Sequence, residues 1–582
     1  MTQTLNLGTA SALFSSAERD FAASRGTARL WARDASLWTG TDEADWLGWL
    51  DLTDPSPEDV APLQAIARDA AQEGIRQVVV MGMGGSSLCP DVLAQTFEPA
   101  EGHPRVSVLD STVPEQLTAL ERTIDWARTW FVVPSKSGGT IEPNSFLAYF
   151  YERAREQLGG PPGRHFIAIT DPGSSLEARA RELGFRSIVP GIPSVGGRFS
   201  ALTAFGLLPA ALQGIDLQDW LARAHPMATD CGPEVPVADN PGAQLGLAIG
   251  ALAAAGRDKL SVVLSPPLAA LGAWLEQLIA ESTGKAGLGV VPIDGGFLPE
   301  SDAAAADSLF VYVRLATAPA PSQDAAIEAL LALGAPVVRI EVADPRDLAA
   351  EFFRWEFATA VAGAVLGINP FDQPDVESAK QEARSLMDEF EASGGLPETA
   401  ALLEEDGIEV TADPNLEHVH ELEAAIAAHF RRVGRGDYVA INAYLAMSPE
   451  NQRALSRLRD LLTQRLGVPT SVGFGPRFLH STGQLHKGGA NNGVFLQLTA
   501  DDPRDLPVPG QAYSFGVLKQ AQALGDFAVL SQRGRRALQL HLPAASPAEL
   551  EALILRVERA IPSRAAERDA PTPTAKETPN HE

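Results

Sequence analysis

Gln277 and Glu281 stand four residues apart in WLEQLIAESTGKAGLG (274–289). That spacing sets both on one strip of a helix whose buried face carries Trp274, Leu275, Leu278 and Ile279. Ser282-Thr283-Gly284 closes the helix in the manner of a glycine cap. Glu281 is then at the negative end of the helix dipole, which favours its protonated form by only about 0.3–1 kcal/mol. For Glu281 to act as a general base with a raised pKa, desolvation in a cleft must supply most of the shift. The plainer alternative is a solvated helix-end glutamate paired with Lys285.

Two further stretches suit anion binding. VVVMGMGGSSL (78–88) runs a buried strand into Gly82, Gly84, Gly85, Ser86 and Ser87, where backbone N–H groups can approach an anion ahead of a helix. FVVPSKSGGTIEP (131–143) repeats the pattern with Ser135, Lys136, Ser137 and Thr140, three hydroxyls and an ammonium that can wrap one phosphate. The G-x-x-x-x-G-K spacing of a nucleotide P-loop is absent. Two alternatives stand beside this reading. The first loop resembles part of a dinucleotide fingerprint, with Asp110 in the place of a ribose acid, and the second could be an ordinary helix cap.

Three more segments carry polar groups. Gly196-Gly197-Arg198 sets an always-charged guanidinium beside a pliable backbone, suited to developing negative charge or to a surface ion pair. NPFDQPDVESAK (369–380) supplies Gln373 and Lys380. GFGPRFLHSTGQLHKGG (473–489) brings His480, Gln484, His486 and Lys487 among glycines, a stretch expected to bend rather than form a regular element.

Short β-rich runs stopped by glycine, proline or small polar residues hold these loops. Helix-length segments alternate with them from residue 75 onward, which predicts βαβ units and parallel sheets covered on both faces. Strands are expected within IRQVVVMGMGG, RVSVLDS, TWFVVPSKSGG and RHFIAITDPG, again between 259 and 343, and further at DYVAINAYL, VPTSVGFG and GVFLQLTA. Two three-layer α/β domains are the economical reading. The chain divides into a mainly helical extension (1–70), a first α/β domain (71–235), a second with C-terminal additions (236–562) and a disordered tail (563–582). A helix is expected to start near Ser56-Pro57-Glu58.

Composition bounds the function classes. The 582 residues carry 74 Asp plus Glu against 46 Lys plus Arg, a formal net charge of −28. That balance disfavours nucleic acid and anionic membranes as partners, yet leaves a small anion open, because a pocket's own groups set its field. Two cysteines, Cys89 and Cys231, exclude a disulfide scaffold and a cysteine-built metal site. The opening residues do not read as a signal peptide. GAQLGLAIGALAAAG (242–256) is better read as a buried helix than as a membrane span.

Taken together, GMGGSS, SKSGGTIEP, VGGRFSALT–GLLP, QLIAESTGK, NPFDQPDVE–K and HSTGQLHKGG resemble, in order and style, glucose-6-phosphate isomerase. The C-terminal motif is most similar to the form elsewhere joined to a transaldolase. The resemblance spans roughly 75–500 and implies two αβα sandwich domains of the sugar-isomerase (SIS) type. It implies interconversion of glucose 6-phosphate and fructose 6-phosphate through a cis-enediol, with no metal and no cofactor, by a cytoplasmic homodimer. In the residues of this chain, Gly85, Ser86, Ser135, Lys136, Ser137 and Thr140 would bind the phosphate. Glu281 would shuttle the proton, Arg198 would stabilise the enediolate, and Gln277 and Gln373 would line the pocket. Lys380 and a histidine, His480 with His486 in reserve, would open the ring. Departures are Gly139 where a hydroxyl is usual, and Asp375 and Ala280 where glycine is frequent. The competing expectations are an isomerase that also accepts mannose 6-phosphate, a non-catalytic sugar-phosphate regulator, and a nucleotide-dependent enzyme using loop 82–87.

Overall fold

A computed structural model describes residues 2–54, 57–295, 306–397, 401–417 and 419–562. The tail expected at 563–582 and the residue Ser56 of the expected helix start lie outside them; the helix itself runs Pro57–Gln72.

Parallel α/β architecture is present as expected, and to the two sheets anticipated it adds a third. The first sheet orders its strands Arg105–Leu109, Gln77–Met81, Thr129–Pro134, Phe166–Thr170 and Ser187–Pro190, all parallel. The second runs Val337–Val342, Ser308–Leu315, Lys259–Leu264, Val291–Asp294, again parallel. Strands read as additions to that sheet instead pair with each other. Arg536–Leu542, Gly493–Ala500, Tyr438–Ala443 and Thr470–Phe474 form a parallel third sheet, extended at one edge by the hairpin Leu403–Glu405 and Ile408–Ala412. Val494, Leu496, Leu498, Leu538 and Leu540 give this sheet its own buried core.

The first two sheets share one winding with the parallel part of the third. In each, counting the parallel strands, the first in sequence lies between the second and the third, so the direction of strand progression reverses beside it. Loops leaving the carboxyl ends of the first and third strands diverge to opposite faces there and open a crevice.

The N-terminal extension is not purely helical. Thr2–Asn6 adds an antiparallel edge strand against Val337–Val342. Its Gln3 reaches the core, where the Nε2 donates to the Pro241 carbonyl (3.0 Å) and the Oε1 accepts from Arg354 (2.8 Å). Arg354 is fully buried and also pairs with the buried Glu351 (3.2 Å). The 242–256 stretch is the buried helix Pro241–Ala254, and among the described residues no helix is long and apolar enough to cross a membrane.

Removing the Gln3 amide would leave a buried guanidinium short of an acceptor. Gln3→Ala is expected to cost about 1–3 kcal/mol and to lower the melting temperature, with Gln3→Glu the milder change; calorimetry of both variants checks it.

Candidate active site

The strands Gln77–Met81 and Thr129–Pro134 are the first and third of the first sheet, so loops 82–87 and 135–140 leave its carboxyl edge at the point of reversal. Backbone proximity explains the glycines. A Cβ at Gly85 would stand 1.9 Å from the carbonyl oxygen of Gly197, so only glycine lets this loop touch the turn that carries Arg198. Gly84 has φ +54° and sits similarly close to the Gln277 amide and the His480 carbonyl. The first loop is thus the surface on which the other site segments converge.

Glu281 comes from the helix Leu271–Thr283, whose Trp274, Leu275, Leu278 and Ile279 are buried; Trp274 meets Phe352 edge-on at 4.8 Å. Burial of such side chains is worth about 1.5–3 kcal/mol each and fixes the helix's rotation. With that rotation set, Gln277 and Glu281 face a cavity of about 320 Å³ together with Gly85, Ser135 and Arg198. Gln277 Nε2 donates to Glu281 Oε2 (3.0 Å), and its own Oε1 has no partner among the described residues. The solvated pairing with Lys285 does not occur. Lys285 is buried, bonds Asp372 (2.8 Å), and is brought down to about 7 by burial and then by the charge of Arg198. Gly284 ends the helix with φ −76°, so no left-handed cap is made; it is glycine because the Leu485 Cα would lie 2.3 Å from a Cβ.

Arg198 is 3% exposed and almost fully engaged. Its Nε donates to Ser282 Oγ (2.7 Å), Nη1 to Gln373 Oε1 (2.9 Å), and Nη2 to the carbonyls of Pro370 (2.7 Å) and Asp372 (2.9 Å). Nη1 also stands 3.5 Å from Glu281 Oε1. The surface ion pair is therefore excluded: a fixed cation sits beside the carboxylate, within the cavity.

Ser135 is the clearest anion donor, since its Oγ is buried, faces the cavity and has no partner among the described residues. Thr140 is the N-cap residue of Ile141–Gln157, yet its hydroxyl makes no capping bond, contrary to the plain cap reading. Ser137 Oγ accepts from the Gly139 N–H (3.2 Å), and Ser86 lines the same wall. Lys136 differs from expectation. It lines the cavity, but its ammonium binds Asp171 and the carbonyls of Ile192 (3.2 Å) and Pro193 (3.0 Å). Three donors are thereby spent on protein oxygens, because Asp171 follows the neighbouring strand and reaches the lysine first.

His480 arrives from the third sheet, on the turn Arg477–His480 after Thr470–Phe474. Its Nε2 lies 2.9 Å from Glu142 Oε1, and its carbonyl accepts from Gln277 (2.9 Å). Glu142 is the functional candidate that sequence reasoning missed, although it stands in SKSGGTIEP two residues past Thr140. It is 3% exposed and also accepts from Gln522 (2.7 Å). Burial alone would raise this carboxyl, but the neighbouring His480 outweighs it and holds Glu142 below its ordinary range. Lys380 lines an adjoining chamber of about 190 Å³ that shares Ser137, Thr140 and His480 with the first cavity, so it sits one wall away from Glu281. His486 does not reach either chamber. It lies in the helix Gly483–Gly488, where a bend was expected, packed on Phe495 (5.0 Å) and Phe478 (6.1 Å). Burial, with Lys487 and Arg535, drives its pKa well below the ordinary value.

Residues 66–297 match the family described as phosphoglucose isomerase. Over that stretch the chain is similar to the phosphoglucose isomerases. A glucose-6-phosphate isomerase of Carboxydothermus hydrogenoformans is 37% identical over 253 residues, 41% of this chain and 53% of that protein. One of Rubrobacter xylanophilus is 29% identical over 372 residues, 55% of this chain and 85% of the relative. The chain spans about half the length of several curated relatives it matches. Among solved structures, a hypothetical protein of Thermus thermophilus superimposes with a TM-score of 0.54 at 27% identity, covering 66% of this chain and 99% of the other. A glucose-6-phosphate isomerase of Chlamydia trachomatis shares the fold at TM-score 0.50 and 20% identity, covering 63% and 78%.

The phosphoglucose isomerase match ends before Gln373, Lys380 and His480, so for these three the geometry is the evidence that they belong with Glu281. One departure is absorbed. The charge of Asp375 is met by Arg533 and by Gln484 Nε2 (2.7 Å). Asp110, the residue standing for a ribose acid, is 1% exposed and paired with Arg477 (2.6 Å), so it cannot meet a nucleotide. Among the described residues no cluster of side chains is arranged to hold a metal ion.

Gly85→Ala would force the 82–87 loop and the Arg198 turn apart. If the cavity takes a phosphate ligand, a displacement of that size is expected to weaken its binding about 10²-fold while the chain stays folded, as titration calorimetry with inorganic phosphate and circular dichroism would report.

Proposed function

We propose that this chain interconverts glucose 6-phosphate and fructose 6-phosphate through a cis-enediol(ate). One observation carries the reading: a carboxylate, a buried guanidinium 3.5 Å away and an unpartnered strand-end hydroxyl, Ser135, line one cavity. Aldose–ketose isomerisation asks for those three things, a base for one carbon-bound proton, a cation for the developing oxyanion, and a hold on the distant phosphate.

Glu281 takes the proton from C2 of the open-chain aldose and returns it to C1, while the hydroxyl proton passes between O1 and O2. The carboxylate ends each turnover as it began. Arg198 faces the oxygens on which charge develops. Ser86, Ser135, Ser137 and Thr140 hold the phosphate with the N–H groups of the two loops. His480, oriented by Glu142, assists ring opening at O5, with Lys380 at the edge of the neighbouring chamber. No redox step involving an external carrier occurs, so a cofactor-free and metal-free enzyme is part of the reading, as are a cytoplasmic location and a homodimeric state.

A coupled assay for fructose 6-phosphate in the presence of chelator is the direct test; absence of turnover would reject the proposal. Glu281→Gln is expected to lower kcat about 10²–10⁴-fold with little change in sugar-phosphate affinity. His480→Ala should lose more rate on the cyclic substrate than on an open-chain one. Ser135→Ala should raise KM about tenfold or more, corresponding to one lost charge-assisted bond. Lys136→Met should raise it less, because that ammonium is already bound to protein.

A further inference from the structure

A second polar cavity, of about 320 Å³, lies behind the catalytic one. Its walls come from elements around all three sheets: Asp91 from the helix Leu88–Thr96 beside the first, Glu276 from the helix that carries Glu281, Asp294 at the end of Val291–Asp294, Asn442 near the end of Tyr438–Ala443, and His486. Asn442 is 1% exposed, and neither its Nδ2 nor its Oδ1 has a hydrogen-bond partner among the described residues. His486 is 3% exposed with an unpartnered Nδ1. Buried amides and imidazoles are nearly always paired, and leaving one unpaired costs about 1–3 kcal/mol. Three such atoms on residues lining one cavity point to a polar occupant.

We propose that this cavity is a binding site for a small, uncharged polyhydroxylated molecule, a free sugar or polyol without phosphate. The lining sets the class. Asn442 offers a donor and an acceptor side by side, which suits two adjacent hydroxyls, and the carboxyls of Glu276 and Asp294 accept further O–H groups. Phe474 and Phe478 supply an apolar wall for C–H faces. Anions are disfavoured, because Arg477 is already paired with Asp91 (3.0 Å) and Asp110 (2.6 Å). Burial, with Asp294's charge adding, raises Glu276 well above the ordinary range, and burial pushes Asp294 up to about 6. Position gives the site its use. Glu276 neighbours Gln277 on the helix of Glu281, and Phe478 lies two residues from His480 on one short turn. An occupant is therefore in contact with the two elements that bear the proposed base and the proposed ring-opening histidine.

Titration calorimetry of the full chain with D-glucose and with myo-inositol tests this, using inorganic phosphate and an alkylammonium as the contrasting probes. The expected result is saturable binding of at least one polyol, weakened about tenfold or more by Asn442→Leu and by Glu276→Ala and unchanged by Ser135→Ala. Glu276→Ala stands alone as the test if the strand variant fails to fold. No polyol binding, binding insensitive to the cavity variants that fold, loss in Ser135→Ala instead, or preference for phosphate or the amine would each overturn the proposal. None of these readouts depends on isomerase turnover.

Discussion

One buried guanidinium holds the site together. Arg198 spans the turn 197–199, the C-terminal end of the helix Leu271–Thr283 and the 369–373 segment, three pieces of chain far apart in sequence. Taking such a charge out of water costs several kcal/mol, and the cost is offset only because Ser282, Gln373 and two carbonyls accept from it with Glu281 nearby. Removing any acceptor would leave part of that charge unsatisfied. The same rigidity fixes the cation beside Glu281, and for the proposed isomerisation that is the preorganisation that electrostatic stabilisation requires.

Around this centre the chain repeats one device. Each of its three sheets has a parallel core, and each sends loops or helices from its carboxyl edge toward the common middle. The first sheet contributes the loops 82–87 and 135–140, the second the helix of Glu281, and the third the turn of His480. The repeated device also accounts for the pair of cavities. The helix Leu271–Thr283 and the turn Arg477–His480 each separate two chambers, so each presents polar groups to both: Gln277 and Glu281 against Glu276 on the helix, His480 against Arg477 on the turn.

Charge is handled locally in the same way throughout. Lys136, Lys285 and Arg477 would each pass for free cations in the sequence, and each is bound to a carboxylate in the folded chain. Among the described residues, the cations near the site are thus largely committed, Arg198 included, to carboxylates, carbonyls and side-chain oxygens. A phosphate would be held mainly by hydroxyls and N–H groups rather than by a lysine.

The sequence by itself determined the local chemistry: parallel α/β units from alternating β-rich and helical runs, strand-end loops from clustered small residues, and Glu281 beside Gln277 from a four-residue spacing. These are short-range properties, set by backbone preference and helical period. What only the tertiary structure decided were the long-range pairings. Whether strands after 436 extended the second sheet or made a third, whether His480 or His486 faced the cavity, and that Asp171 claims Lys136 while Glu142 claims His480 all depend on contacts between segments 35 to 338 residues apart. Composition and periodicity carry no record of such partners, because the same histidine or lysine suits a site, a surface or a core until packing chooses its neighbours.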